Sequence, residues 1–280
     1  MRDIGVRPGR VRLLTEARAL LELVATVLAE PLFRRLPPGD GHPVMVLPGF
    51  LASDASTIPL RLFLRARGYA PYGWGAGRNL GRPGQEDEVL LALQRIVHHH
   101  GRKVSLVGWS LGGVYAREIA RLAPGRVRQV VSMGSPFTGN PRANHAWELY
   151  ERLSGRTYDE IRQMAARIRR PPPVPSTAIF SRSDAITAWQ CCVQPPGPRA
   201  ENVEVESSHL GYGHNPLVLY VIADRLAQKE GAWRAFDPQG LPALFFRAKE
   251  EVSAGPPKPR RRRVPRPAPG DAVPSASAPR

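Results

Sequence analysis

Short apolar runs alternate with amphipathic stretches from His42 onwards, a pattern typical of buried parallel strands joined by helices. The apolar runs predict strands at 44–47, 69–74, 104–107, 127–133, 176–181 and 203–206. Between most of them, apolar residues recur every three or four positions and predict helices at 57–67, 84–98, 114–122 and 216–228. The chain is therefore predicted to be an α/β protein with a mostly parallel central sheet flanked by helices.

One segment interrupts this alternation inside the domain predicted at 39–232. Residues 136–175 are rich in arginine and contain two short helical patterns, at 146–153 and 158–168, before a run of three prolines. Because the segment leaves the strand–helix order and then returns to a strand, it predicts a small helical lid inserted into the domain.

The two ends of the chain are predicted to lie outside the α/β domain. Residues 1–38 predict an N-terminal amphipathic helix. Its apolar face is expected either to pack on the domain or to lie in a membrane interface. A short appended segment is predicted at 233–253. The Pro-, Ala-, Ser- and Arg-rich tail at 254–280 cannot bury a core and is predicted to be disordered.

Composition adds a strong basic charge but little about the fold. The 280 residues carry a formal net charge of +16, and only four of the 40 basic residues are lysine. Such a surface attracts anionic membranes or polyanions, and the Arg-rich tail is either a weak contact of this kind or an idle solvated extension. Nothing in the pattern indicates specific recognition of nucleic acid.

The sequence contains no recognisable targeting segment and no metal-binding motif. The longest uncharged run near the start, 23–29, is far shorter than the ~20 residues of a membrane span, and no signal peptide is recognised. The expected location is cytoplasmic, with peripheral membrane attachment as the alternative.

Cys191 and Cys192 are adjacent, too close for an ordinary disulfide and without the spacing of a metal site. We expect no metal and no organic cofactor.

The chemistry centres on Gly108-Trp109-Ser110-Leu111-Gly112, which matches G-x-S-x-G. A predicted strand precedes the motif and a predicted helix follows it, the context in which this motif forms a nucleophile elbow. Gly108 and Gly112 avoid collisions of a side chain with neighbouring elements. Ser110 is therefore the candidate nucleophile.

A serine nucleophile needs a base and an acid that orients the base. Asp184 follows the predicted strand at 176–181, and His209 follows the predicted strand at 203–206. Taken alone, the aspartate reads as a turn residue and the histidine as a surface residue. Their order after Ser110 and their shared position behind strands make them the candidate acid and base. His214 is a less suitable base, since it lies at the start of the last helix.

Two backbone amides are candidates for an oxyanion hole. One is the N–H of Leu111, at the start of the helix after the nucleophile. The other is the N–H of Phe50, in the loop after the first strand, where Gly49 allows a close approach. Leu51, Phe137 and Trp189 are candidate pocket residues, with packing in the core as the alternative.

With these motifs the sequence resembles the α/β-hydrolase superfamily, and more narrowly its bacterial esterase/lipase-like branch, over about residues 42–228. The resemblance rests on 48–50, the elbow, 183–184 and 208–216. It implies the α/β-hydrolase fold and no cofactor. Pro48 departs from it, since many relatives carry histidine before the glycine. The segment at 73–79 also fits the branch, with Arg78 and Asn79 either at the pocket rim or acting as structural anchors.

The sequence thus predicts a serine hydrolase that cleaves carboxylic esters through an acyl-enzyme, acting on a small acyl ester or lipid-like substrate. Two alternatives stay open. An acyltransferase or thioesterase could use the same three residues, and a non-catalytic binding protein could share the fold.

Overall fold

The computed structural model describes residues 5–246. The predicted disordered tail at 254–280 lies outside the described residues, as do 247–253 of the predicted appended segment.

Six parallel strands form one sheet in the order β2-β1-β3-β4-β5-β6. The strands are β1 Pro43–Leu47, β2 Ala70–Gly73, β3 Val104–Trp109, β4 Val127–Met133, β5 Ser176–Phe180 and β6 Ala200–Glu204. Strands β1, β4 and β5 are buried at every residue, because helices cover both faces of the sheet. The predicted fold class, a central parallel sheet flanked by helices, is confirmed.

The two faces of the sheet carry separate hydrophobic clusters. Val44 and Val46 of β1 point to the side covered by helices α3 (Ile58–Ala66) and α8 (Pro216–Leu226), whereas Met45 and Leu47 point to the other. That second side is covered by α4 (Gln85–His100) and α5 (Leu111–Leu122). The alternation of side chains along each strand explains why the apolar runs are unbroken.

The edge strand β6 begins earlier than the sequence pattern indicates. Its first three residues pair with the start of β5, but they are only half-buried and include Glu201 and Asn202. Because an edge strand has one open side, polar residues belong there and hide the strand signal that the prediction at 203–206 relied on.

Two helices lie between β4 and β5, α6 (Trp147–Ser154) and α7 (Tyr158–Ile168). Thr157 and Glu160 form a capping box that begins α7. At its other end, the buried guanidinium of Arg117 donates to the carbonyl of Ile168 at 2.9 and 3.0 Å and to the carbonyl of Arg170 at 2.8 Å. A buried cation of the core helix α5 thus fixes the C-terminal end of the inserted helices.

The N-terminal region is not the single amphipathic helix predicted over 1–38. It forms a 3₁₀ stretch at Arg10–Arg18, then α1 (Ala19–Leu28) and α2 (Glu30–Phe33). Pro31 lies in the first turn of α2 and lacks the N–H that a continuous helix would need there. The region packs on the domain, but mainly through polar side chains, while most of its leucines and valines face solvent. Within residues 5–246, no helix combines the length and the apolar character needed to cross a bilayer.

Candidate active site

Ser110 lies at the tip of a sharp turn between β3 and α5. Its backbone has φ 53° and ψ −122°, a conformation that is strained for any residue with a side chain. A Cβ on Gly108 would collide with the backbone of Gly112, and a Cβ on Gly112 would collide with the backbone of Leu47. These two glycines allow β3, α5 and β1 to approach closely enough for the turn to exist.

The structure brings Ser110, His209 and Asp184 together at the carboxyl edge of the sheet, where parallel strands end. Asp184 Oδ2 lies 2.7 Å from His209 Nδ1, and His209 Nε2 lies 3.1 Å from Ser110 Oγ. An ionised carboxylate can only accept hydrogen bonds, so Nδ1 carries the proton and Nε2 is left to accept the proton of the serine hydroxyl. The three side chains have the geometry of a nucleophile, a base and an orienting acid.

The carboxylate of Asp184 is itself held in place by the backbone. Its second oxygen accepts the amide protons of Ile186, at 2.9 Å, and Thr187, at 2.8 Å. Burial by itself lowers the pKa of His209, but the charge of Asp184, its hydrogen bond and the charge of Glu16 outweigh burial and raise that pKa above its ordinary value. The imidazole is therefore a stronger base than a buried histidine without these neighbours.

Trp109 connects the elbow to the loop of the base. Its indole N–H donates to the backbone carbonyl of His209 at 3.0 Å. Because the indole side chain belongs to the residue before Ser110, the position of the imidazole is tied to the same turn that positions the serine.

The loop after β1 lies beside Ser110. A Cβ on Gly49 would lie 3.3 Å from Cβ of Ser110, so a larger residue there would press on the candidate nucleophile. Among residues 5–246, the amide N–H of Phe50 donates to no protein acceptor. Leu111 is the first residue of α5, where the amide has no partner within the helix. Neither candidate oxyanion donor is thus used by a hydrogen bond within its own loop or helix.

Asn79 anchors this loop, which decides between the two roles left open for it. It is fully buried, its side-chain amide donates to the carbonyl of Pro48 at 2.8 Å, and its own carbonyl accepts the N–H of Leu51 at 2.7 Å. Leu51 has φ 65°, and within residues 5–246 only Leu51 and Ser110 combine a side chain with a positive φ. Two strained residues therefore flank the site, one on each loop.

A cavity of about 420 Å³ opens beside Ser110. Its lining is mostly apolar and comes from the loop after β1, the elbow and the inserted helices, including Phe50, Leu51, Leu111, Trp147 and Met164. Of the three pocket candidates, only Leu51 lines it.

Phe137 and Trp189 lie elsewhere, contrary to the expectation from sequence. The Phe137 ring is fully buried beneath the guanidinium of Arg117, 3.8 Å from the ring centroid. Trp189 stacks on Phe180 of β5 and lies under Arg182. Both aromatic rings pair with buried or half-buried cations, so they pack within the protein and do not face the cavity.

Two glutamates of the N-terminal region contact the loops that carry the candidate acid and the candidate base. Glu16 is 5% exposed, and its two oxygens accept the amide protons of Ala185 and Leu210, each at 2.9 Å. These residues directly follow Asp184 and His209. Glu22 accepts the amide proton of Ser208 at 2.8 Å. In the sequence these acids only interrupt an apolar run, and no local signal connects them to loops more than 160 residues away.

Metal ligands are not grouped in the part of the chain that the structure describes. No set of three or more His, Cys, Asp or Glu side chains there could hold a metal ion.

Comparisons with known proteins find similarity in structure only. No protein-family model matches the sequence, and no curated protein matches it either. The solved structures that are similar include Aspergillus fumigatus lipase B, with a TM-score of 0.55 and 16% identity. The match covers 68% of this chain and 54% of the fungal one, so it spans about half of that lipase.

Two further structures match over almost their whole length. A metagenome-derived lipolytic enzyme has a TM-score of 0.52 at 15% identity, with 68% of this chain and 95% of that chain covered. A Bacillus licheniformis lipase in its mature form has a TM-score of 0.51 at 15% identity, with 68% and 94% covered. Together with the parallel sheet, the elbow and the order of the strands, these matches show that the chain has the α/β-hydrolase fold.

Proposed function

We propose that this protein is a serine hydrolase of the esterase/lipase type, which cleaves carboxylic esters through an acyl-enzyme. The observation that carries the proposal is the hydrogen-bonded chain from Asp184 through His209 to Ser110, which ends at the wall of an apolar cavity. The positive φ of Ser110 supports the proposal, because backbone strain of this kind clusters at active sites.

In the proposed acylation step, Ser110 Oγ attacks the ester carbonyl carbon while its proton passes to His209 Nε2. The carbonyl oxygen gains negative charge, which the amides of Phe50 and Leu111 stabilise. Asp184 stabilises the imidazolium that forms. When the tetrahedral intermediate collapses, the imidazolium gives its proton to the leaving alkoxide, and an alcohol departs.

In the proposed deacylation step, a water molecule takes the place of the alcohol. His209 removes a proton from the water, the hydroxide attacks the acyl carbonyl, and Ser110 recovers its proton as the carboxylic acid leaves. Every step uses side chains and amides of this chain, and none requires a cofactor.

The cavity suggests the class of substrate. Its volume lies within the range of about 300–1,000 Å³ usual for small-molecule sites, and its walls are mostly apolar beyond the reactive serine. An ester with a hydrocarbon acyl chain of medium length suits such a lining. The lipolytic activity in the names of the three structural neighbours belongs to those proteins and points in the same direction.

A fluorophosphonate probe tests the nucleophile, because it reacts covalently only with an activated serine. We expect the wild-type protein to be labelled and the Ser110→Ala variant to be unlabelled. Ser56→Ala, which removes a hydroxyl of the 3₁₀ turn at Asp54–Thr57 that does not line the cavity, is the matched control and should be labelled like wild type.

Turnover of p-nitrophenyl esters, from acetate to palmitate, tests the reaction. Wild-type protein should hydrolyse at least one chain length, and Ser110→Ala should lose activity by roughly 10⁴-fold or more. Labelled protein that hydrolyses no ester would make ester hydrolysis the wrong reaction. Folded wild-type protein that is never labelled would make Ser110 the wrong nucleophile.

A further inference from the structure

The N-terminal segment Arg10–Leu28 turns its apolar side chains away from the protein. Six of them are 58–78% exposed and form what we call the outer face: Leu14, Leu20, Leu21, Val24, Val27 and Leu28. Soluble proteins rarely leave so many large apolar side chains together in water, and such surfaces usually mark an interaction site.

The opposite side of the segment is fixed to the domain by polar contacts. Glu16 binds the amides of Ala185 and Leu210, Glu22 binds the amide of Ser208, and the carbonyl of Ala19 lies 2.8 Å from Nε2 of His214. Rotating the segment to bury the leucines would break all of these bonds and leave the amides of Ala185, Ser208 and Leu210 without acceptors. The outer face is therefore held outward by the structure.

The exposed charges that precede and follow the outer face along the chain are almost all positive. Between residues 10 and 35 the exposed charged side chains are four arginines and Glu30, and Glu30 is paired with Arg34 at 3.4 Å. The two other acids of the segment point inward. An apolar helix face with arginines before and after it in the chain is typical of a helix that lies on an anionic bilayer.

We propose that the outer face docks on the surface of an anionic phospholipid bilayer, with the leucines in the boundary between headgroups and acyl chains. A second copy of the chain fits the face less well. In a symmetric dimer the same arginines would oppose each other, and each chain carries a net charge of +16. A lipid surface offers apolar contact and the opposite charge at once.

The docked segment lies next to one part of the cavity rim. Leu210, whose amide binds Glu16, is 47% exposed and lines the cavity. The guanidinium of Arg7 also donates to the carbonyl of Arg142, in the loop before α6. The segment thus runs beside the loops that border the cavity. The inference goes beyond the proposed hydrolysis, because docking needs no chemistry.

Vesicle flotation of the full-length chain tests the proposal. All proteins carry Ser110→Ala, so that no lipid is cleaved and a failure of the proposed hydrolysis cannot affect the result. Vesicles are phosphatidylcholine with or without phosphatidylglycerol, at low and at high salt. We expect binding to the anionic vesicles that high salt weakens but does not abolish, since the leucines contribute a part that salt does not screen.

The deciding variant changes Leu14, Leu21 and Val24 of the outer face to glutamine. We expect it to bind anionic vesicles at least about tenfold more weakly, with an unchanged thermal unfolding midpoint because the three side chains are exposed. The matched control changes Leu62, Leu91 and Leu122 to glutamine. These leucines are 52–58% exposed on other helices, and their replacement should alter vesicle binding less than twofold.

Three results would overturn the proposal. Failure of the Ser110→Ala chain with an intact outer face to float with anionic vesicles would exclude a lipid occupant. Equal binding by the outer-face variant would assign vesicle binding to the basic tail. Sedimentation velocity that finds a dimer of the Ser110→Ala chain with an intact outer face and a monomer of the outer-face variant would make a second copy the occupant.

Discussion

Glu16 bridges the two loops that hold the acid and the base of the candidate triad, and its replacement by glutamine should impair catalysis more than folding. One carboxylate oxygen accepts the amide proton after Asp184 and the other accepts the amide proton after His209, each at 2.9 Å. A glutamine of the same shape keeps one oxygen but places an NH₂ group opposite the other amide. Two donors then face each other in a site that is almost fully buried.

The size of the effect follows from the one amide that loses its acceptor. A buried donor without a partner costs about 1–3 kcal/mol, and 2 kcal/mol corresponds to about 30-fold in rate when the cost falls on the active geometry. We expect Glu16→Gln to lower kcat of p-nitrophenyl ester hydrolysis by about 10- to 100-fold. KM should change less than threefold, because Glu16 does not line the cavity.

A pH profile separates this role from a general loss of stability. The negative charge of Glu16 helps to raise the pKa of His209, and only the neutral imidazole acts as the base. Removing the charge lowers that pKa, so the acidic limb of kcat/KM should move to lower pH in Glu16→Gln. A variant that had only lost stability would have a lower kcat/KM at every pH, with its acidic limb at the wild-type position.

Glu22→Gln is the matched control. Glu22 accepts the amide proton of Ser208 at 2.8 Å, but its second oxygen faces the hydroxyls of Ser207 and Ser208, which can accept a hydrogen bond from a glutamine NH₂. This variant should keep kcat within about threefold and leave the acidic limb in place. Wild-type kcat and an unmoved limb in folded Glu16→Gln would refute the bridging role.

Three further predictions concern residues that hold a loop of the site, the inserted helices and the core in place. Asn79→Ala should lower kcat by about tenfold, measured with p-nitrophenyl esters, because the loop carrying Phe50 loses a buried hydrogen bond worth about 1–3 kcal/mol. Arg117→Met should lower the free energy of urea unfolding by about 3 kcal/mol, because the last carbonyls of α7 lose their charged donor. Burial lowers the pKa of His42 to about 4 in the folded protein. As pH falls, this histidine is therefore protonated in the unfolded state before it is protonated in the folded state. The unfolding free energy should therefore fall by up to about 3 kcal/mol as pH drops from 6.5 to 4, and His42→Gln should flatten that fall.

The elements near the site could be predicted because each leaves a local signal. The strand Val127–Met133 and the helix Tyr158–Ile168 begin and end where the apolar pattern predicts. The elbow adds a second local signal, since glycines stand where a Cβ would strike a neighbouring backbone. The candidate triad follows from a rule of topology, because loops after parallel strands meet at one edge of the sheet.

The supports of the site could not be predicted, because their partners are distant in sequence. Arg117 reads as an ordinary helix arginine until α7 brings two backbone carbonyls to it. Phe137 reads as a pocket aromatic because it follows β4 at the correct edge, yet the same arginine covers its ring. Backbone carbonyls and amides have no signature in the sequence, so a polar side chain that binds them cannot be told from a solvated one.

Periodicity predicts that the N-terminal segment has an apolar face and a polar face, but it does not predict which face packs on the domain. Burying six large aliphatic side chains stabilises by roughly 9–18 kcal/mol. Three hydrogen bonds from amides to carboxylates contribute about 1.5–3 kcal/mol each. If water were the only alternative, the apolar face would be the one expected against the domain. With the carboxylates bound to the loops of the candidate acid and base and the leucines in lipid, as proposed, the segment gains both contributions, whereas packing the leucines on the domain would gain only one. The orientation seen in the structure is the one that an apolar partner outside the protein makes favourable.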